Sequence, residues 1–270
     1  MSDRDKMELR EEVNVVFHSA ASIKFDDELS KAVTMNVRGT KELMDLAKGM
    51  GNLRSFVHVS TCYSHCHLRE EVIQEKIYPP ESFSVKEVLD MSKREFNVIA
   101  MRTDTNTQSL PTGEVSDEEC KRVIDKRPNT YTFTKAITEQ LVREERDDLP
   151  ISIVRPSIVV GARSEPQPGW VDNINGPTGV GLFISQGALR SMINNPAIVA
   201  DLVPVDTVIN LMCAVALKTA KQYNREAGKR PEEVPVYNCN SSTDSPVTWG
   251  EIWKFFLEAC YIWPSETTLL

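Results

Sequence analysis

Short apolar runs alternate along this chain with stretches whose apolar positions recur every three or four residues. Val13-Asn-Val-Val-Phe17 is apolar and β-branched, and predicts a strand that ends at a His-Ser-Ala-Ala loop. From Asp27 to Lys48, the residues Leu29, Val33, Val37, Leu43 and Leu46 fall near a 3.6-residue period, which predicts a helix stopped at Gly49 and Gly51. Ser55 to Val59 predicts the next strand, Thr132 to Glu145 a helix, and Ile151-Ser-Ile-Val154 a strand closed by Arg155-Pro156. Residues 68–128 are polar and rich in charge and turn residues, and read as an insertion with short helices. After Gly161 the pattern loosens into a Gly/Pro/Asn loop reaching Gly181, a helix near 183–194 and a long apolar helix from Val205 to Ala220. Helices between near-continuous apolar strands predict an α/β fold, a parallel sheet covered on both faces.

Composition narrows the function classes. With 41% hydrophobic and 26% charged residues in 270, the chain has the make-up of a soluble globular protein. A net charge of -8, with no basic cluster beyond Lys-Arg pairs, argues against nucleic acid as a partner. Met1 to Glu12 is charged and lacks the apolar core of a targeting signal, and no run of 18 apolar residues forms a membrane segment. The six cysteines are scattered and read as reduced thiols. Cys62-Tyr-Ser-His65-Cys66-His67 superficially suggests metal ligands, but the other cysteines come singly, so no metal is expected and the segment reads as a loop lining the substrate side. His18 and His58 read as core histidines bonded to backbone, and Trp249, Trp253, Phe255 and Phe256 as packing on a helix face.

The candidate chemistry begins at Tyr131-Thr-Phe-Thr-Lys135. Residues four apart share a helix face, and a lysine ammonium beside a phenol is expected to lower the tyrosine pKa toward neutrality. Such a phenol can exchange a proton with a substrate oxygen. Upstream, Val57-His-Val-Ser60-Thr61 is an apolar run ending in two hydroxyls. A strand followed by Ser/Thr, then a helix with Tyr and Lys, resembles the triad of the short-chain dehydrogenase/reductase group. No G-x-G-x-x-G follows a first strand: Gly49-Met-Gly51 reads as a helix C-cap, and Gly176-Pro-Thr-Gly179-Val-Gly181 as a mobile loop. No phosphate cradle at a helix N-terminus is evident.

An ordered series of segments carries a closer resemblance. Glu12-Val-Asn-Val-Val-Phe-His-Ser-Ala-Ala21, Phe25-Asp26, Asn36-Val-Arg-Gly-Thr40, Val57-His-Val-Ser-Thr61 and Pro128-Asn-Thr-Tyr-Thr-Phe-Thr-Lys135 come first. Arg155-Pro-Ser-Ile158, Pro168-Gly-Trp-Val-Asp-Asn173, Asn175-Gly-Pro-Thr-Gly179 and Leu202-Val-Pro-Val-Asp206 follow, with Val236-Tyr-Asn-Cys239 and Thr248-Trp-Gly-Glu251 toward the end. Together they resemble the fatty acyl-CoA reductases, the male-sterility branch of the extended short-chain dehydrogenases. The resemblance implies a Rossmann-like, doubly wound parallel sheet lacking its first strands and glycine-rich loop, with a smaller substrate-side region. It implies residues 1–160 as a partial NAD(P)-binding region carrying the triad, and residues 161–270 as the substrate side and end of the reductase domain.

The chemistry implied by the resemblance is NADPH-dependent reduction of a long-chain fatty acyl-CoA to an aldehyde and then a primary alcohol. Tyr131 would protonate the developing alkoxide, Lys135 would hold the nicotinamide ribose, and Thr61 or Ser60 would bond the carbonyl oxygen. Ala20 and Ala21 would pass the adenosine and pyrophosphate, Asn36 would stand near the active site, and Pro156, Ser157 and Ile158 would face the nicotinamide carboxamide. The family is often membrane-associated, which suggests a peroxisomal or endoplasmic reticulum membrane, facing the cytosol. The alternative is a truncated, catalytically inactive product of a reductase gene with at most a lipid-binding or regulatory role. On either reading, the 270 residues alone, lacking a glycine-rich turn, are expected to bind NADPH weakly.

Overall fold

The computed structural model describes residues 1–68, 72–79, 83–93, 122–124, 126–223 and 229–264. The expected polar insertion at 68–128 therefore falls largely outside the described residues, which place helical turns at 85–93 and 122–124.

The β-branched and aromatic runs form the sheet. Strands β1 (Val15–His18), β2 (Ser55–Val59) and β3 (Ile151–Pro156) pair in parallel, with Phe17 opposite Val57 and Val57 opposite Ser152. The four-stranded order is β1-β2-β3-β7, where β7 is Val236–Cys239. Every residue of β3 is buried, as are Ser55 to His58 of β2. That burial explains why these runs are mostly apolar rather than alternating, with Ser55, His58, Ser152 and Arg155 as buried polar exceptions. The first strand lies two residues later than the apolar run suggested, because the charged Met1 to Glu12 region folds as helix α1 (Asp3–Glu12), capped by Ser2 and closed at Val13.

The long helix expected from Asp27 to Lys48 is broken in character. Helix α2 (Leu29–Val33) runs into a π-helical turn, Thr34–Arg38, and then helix α3 (Gly39–Lys48). Helix α4 (Thr130–Glu145) packs against both α2 and the π turn. Two apolar clusters hold these elements. One joins Met44, Ala47, Phe56, Val142, Ile151 and Ile153; the other joins Leu29, Val33, Val37, Phe133, Ile137 and Leu141.

The chain divides into two compact units. One comprises Met1–Arg155 and Ala214–Tyr237, the other Pro156–Cys213 and Asn238–Leu270. In the second, β4 (Ile158–Val160) pairs in parallel with β6 (Leu202–Pro204), and β5 (Val199–Ala200) pairs antiparallel with β8 (Val247–Thr248). Helix α5 (Pro177–Ser185) occupies the glycine-rich stretch read from sequence as a mobile loop, and residues 188–194 are not helical. The reason is local. Pro177 presets the first helical turn, and Gly176 takes a positive φ of 56°. At Gly179 a Cβ would stand 2.1 Å from the Ile174 carbonyl oxygen, so this glycine allows close backbone approach rather than motion. The long helix α6 (Val205–Gln222) runs two residues further than its periodicity suggested. On helix α7 (Trp249–Ile262), Trp253 packs edge-on against Phe256, whereas Phe255 is 64% exposed and does not join the packed face.

His18 and His58 face each other across β1 and β2, with ring centroids 5.3 Å apart. Neither is bonded to backbone as expected. His18 Nε2 bonds the Thr40 hydroxyl at 2.8 Å, and among the described residues the two buried His58 ring nitrogens have no hydrogen-bond partner. Burial, reinforced by the nearby Lys135 charge, pulls the His18 pKa down to about 4 and that of His58 well below the usual imidazole value.

Two outcomes follow from this packing. Ile153→Ala, in the buried middle of β3, should destabilise the chain by about 2–5 kcal/mol in urea unfolding, through lost burial and the cavity left behind. The histidines make stability pH-dependent. As pH falls from 6.5 toward about 4, the unfolded chain takes up protons that the buried imidazoles refuse, so stability declines across that window. His58→Leu should flatten this decline, seen as a smaller drop in Tm between pH 7 and pH 4.5.

Candidate active site

Helix α4 begins at Asn129, whose side chain accepts the Thr132 amide and so fixes the first turn that carries Tyr131. The Thr130 hydroxyl donates to the Asp27 carbonyl at 3.1 Å, which ties the helix start to the loop after β1. From Thr132 to Val142 every residue of the helix is buried, so its polar side chains must find partners inside.

Lys135 is 4% exposed, and its ammonium donates to the carbonyl of Val59, the last residue of β2, at 2.8 Å. The same nitrogen lies 5.9 Å from the centroid of the Tyr131 ring. Beyond β2 the two candidate hydroxyls part company. The Thr61 side chain is hydrogen-bonded to the Tyr131 phenol and accepts the Tyr63 amide at 3.2 Å. The Ser60 hydroxyl donates instead to Glu139. Thr61 is extended, with φ -153° and ψ 148°, and neighbouring side chains in extended backbone point to opposite sides. Geometry thus sends only Thr61 to the phenol, a distinction that two adjacent hydroxyls conceal in the sequence.

The protonation states differ from the sequence expectation. Burial pushes the Tyr131 phenol above its ordinary value, with the Thr61 bond opposing. Burial also brings Lys135 down to about 8, with the Glu139 carboxylate opposing. The expected lowering of the tyrosine by the lysine does not prevail, because desolvation dominates the phenol and the ammonium is held at the Val59 carbonyl. At neutral pH the site therefore presents a protonated phenol beside a protonated amine.

Asn36 sits 2% exposed in the π-helical turn. Its side chain accepts the Ser22 amide at 2.7 Å, donates to the Ser22 carbonyl at 3.1 Å and donates to the Thr134 hydroxyl at 2.9 Å. It is a clamp between helix α4 and the loop that carries Ala20 and Ala21. Of these, Ala20 is exposed and Ala21 half-buried. The Asn36 carbonyl accepts the hydroxyls of Thr40 and Thr138 as well. Phe25, 64% exposed, places its ring 5.7 Å from that of Tyr131, an apolar surface beside the phenol. Pro156, Ser157 and Ile158 belong to the second unit, where the Ser157 amide donates to the Cys239 carbonyl and Ile158 opens β4.

Beneath the site lies a network that sequence reasoning missed. Glu139, two turns beyond Tyr131, is fully buried. Arg155 Nε and Nη2 reach its two oxygens at 2.8 and 2.5 Å, Ser64 donates at 3.3 Å, and His65 Nε2 lies 3.2 Å away. Burial pushes the carboxyl pKa up, but the bond from His65 and then the bond and charge of Arg155 hold it down at about 2. Arg155 also donates to the carbonyls of Gln74 and Lys76, and the Cys62 thiol donates to the Arg155 carbonyl at 2.9 Å. A charged residue inside an otherwise buried helix, one turn past Lys135 and matched by an arginine at a strand end, was the available signal.

Comparison with known proteins bears on the family and the fold. The family described as Male sterility protein, an NAD-binding domain, matches residues 1–212. The chain is 38% identical over 252 residues to fatty acyl-CoA reductase 2 of Bos taurus, and 37% identical over the same span to fatty acyl-CoA reductase 1 of Homo sapiens. Each match covers 93% of this chain and 44% of the relative, so the chain spans less than half the length of these curated relatives. Among solved structures, the terminal R domain of the myxalamid PKS-NRPS pathway superposes with a TM-score of 0.58 at 20% identity, covering 96% of this chain and 50% of that one. UDP-glucuronic acid 4-epimerase from Bacillus cereus, solved with NAD, gives 0.55 at 16% identity, covering 97% of this chain and 64% of that one. These two show the shared Rossmann-like fold. No helix among the described residues is long and apolar enough to cross a membrane. With the match spanning residues 1–212 of 270, the chain belongs to the male sterility protein family, to which its fatty acyl-CoA reductase relatives point in turn.

Proposed function

We propose that this chain carries the reacting site of a reductase that converts a long-chain fatty acyl-CoA, through an aldehyde, to a primary fatty alcohol with NADPH. The observation that carries the reading is the Thr61–Tyr131 hydrogen bond with Lys135 one helical turn away in the same buried site. The names of the relatives support the acyl-CoA substrate class. The apolar ring of Phe25 beside Tyr131 suits an acyl chain next to a reacting carbonyl.

The residues present fit the nicotinamide end of a dinucleotide. Lys135 gives one of its three protons to Val59, which leaves donors for ribose hydroxyls. The small side chains of Ala20 and Ala21, on the loop clamped by Asn36, leave its backbone open to close approach. When bound, NADPH supplies the hydride in each of the two reductions. In each, Thr61 would bond the carbonyl oxygen and Tyr131 give it a proton as charge develops there. In the first, the hemithioacetal so formed would collapse to the aldehyde, its hydroxyl proton leaving with CoA as the free thiol, before the second reduction. The raised phenol pKa keeps the Tyr131 proton in place until it is needed. The protonated Lys135 ammonium stabilises the phenolate left behind.

Tyr131→Phe keeps the ring and removes the proton. Alcohol formation from palmitoyl-CoA and NADPH by the whole protein should fall by about 10²–10⁴. Residual activity above a tenth of wild type would remove Tyr131 from the role of acid. Should the wild-type protein neither bind NADPH nor form alcohol, the non-catalytic reading would replace this one.

The pH profile is a second check. Lys135 loses its proton near pH 8, so the rate should decline above that value. Lys135→Met should lower the rate and abolish that limb of the profile while weakening NADPH affinity in isothermal titration.

A further inference from the structure

We infer that Glu139 is a positioning residue for the Thr61–Tyr131–Lys135 constellation, holding the Ser60–His65 turn against helix α4 through Ser60, Ser64 and Arg155. The inference rests on reading those three residues as the reacting groups. It adds a fourth residue that touches neither substrate nor cofactor.

Three observations converge. The first is placement. Tyr131, Lys135 and Glu139 follow one another at intervals of four residues, so they share one face of α4. The second is the set of partners. Five groups meet the two Glu139 oxygens: the Ser60 and Ser64 hydroxyls, His65 Nε2, and Nε and Nη2 of Arg155. Ser60, Ser64 and His65 all belong to the short segment that bears Thr61. That segment turns as a 3-10 helix, Cys62–His65, whose first turn is closed by the Thr61 hydroxyl itself. Thr61 is therefore aimed at the phenol by a turn whose flanks are both bonded to Glu139. The third is the lack of freedom at either end. Glu139 and Arg155 are both fully buried, and Arg155 is bonded further to Gln74 and Lys76. A forked guanidinium on a carboxylate admits few orientations, so the turn is seated on a rigid base.

The carboxylate also supplies negative charge within the site. Lys135 is faced by His18 on β1, His58 on β2, and Tyr131 and Glu139 on its own helix, while Arg155 of β3 and His65 of the turn are bonded to Glu139. Among these Glu139 alone favours the charged ammonium. Removing its charge lowers the pH at which Lys135 gives up its proton.

The test uses the 270-residue chain without ligand and needs no turnover. Lysine-labelled protein would report the Lys135 titration by NMR, the signal assigned by its loss in Lys135→Met. Hydrogen exchange at the amides of Tyr63, Ser64 and Cys66 would report the turn. In Glu139→Gln the Lys135 midpoint should move below its wild-type value, and those amides should exchange on the order of tenfold faster than wild type, ahead of global unfolding. In Ser60→Ala joined with Ser64→Ala the carboxylate remains, so exchange in the turn should rise while the Lys135 midpoint holds. An unchanged Lys135 midpoint in folded Glu139→Gln, or an unchanged turn in the double variant, would overturn the inference. If Glu139→Gln fails to fold, the double variant decides alone. Failure of the reductase reading would show separately, as a wild-type protein that neither binds NADPH nor forms alcohol.

Discussion

The ion pair between Glu139 and Arg155 is the contact on which the rest of the site depends. Both side chains are fully buried, and charges that leave water are tolerated only when their bonding is complete. Here it is nearly so: the carboxylate meets five groups, and the guanidinium reaches two backbone carbonyls in addition. The pair joins the middle of α4 to the end of β3, and its other partners come from the turn after β2. Three elements distant in sequence are thereby fixed at one point, and the candidate reacting groups stand directly above it. Such a pair adds little net stability compared with a well-packed apolar substitute, but loss of either member strands a charge in the core. Its worth to the protein is geometric.

The same kind of locking recurs on the adjoining face of the helix. Asn36 bonds the loop after β1 and the Thr134 hydroxyl at once, and its carbonyl takes two further hydroxyls. The threonines of α4 at 134 and 138 are buried polar groups that would be costly alone. Each closes a bond to the π-helical turn or to its own helix. Polar residues inside this fold thus mark where the elements are locked together, whereas the apolar clusters mark where they are pressed together.

Much of this was legible in the sequence, and the remainder has physical reasons for being hidden. Strands β2 and β3 announced themselves because both faces are buried and the runs are therefore mostly apolar. Tyr131 and Lys135 were legible because four residues is one helical turn. Ser60 and Thr61 could not be separated, since the choice depends on which way an extended chain points at that position. Glu139 went unremarked because a glutamate in a helix reads as surface unless its partner is known, and Arg155 lies in another element. The Gly176 to Gly181 stretch was misread because its glycines serve close packing of a helix rather than a loop. Nothing in Thr34-Met-Asn-Val-Arg38 reveals that the backbone there widens to a π turn, in which Asn36 meets the Ser22 backbone and the Thr134 hydroxyl at once.

That widened turn has a consequence for the length of the chain. A π turn accommodates one residue more than the α-helical path around it. Each residue of an α-helix advances the azimuth by about 100°. Removing one residue between Thr34 and Arg38 would let the helix close up in regular form, with α3 still seated by Met44 and Ala47. Everything before the deletion would then be turned about its axis by more than a quarter of a revolution. Leu29 and Val33 would rotate out of the apolar cluster they share with Phe133 and Ile137. The extra residue is thus a phase adjustment, setting two halves of one helix to face different neighbours, and the spacing between Leu29 and Met44 is as much a part of the site as the residues that line it.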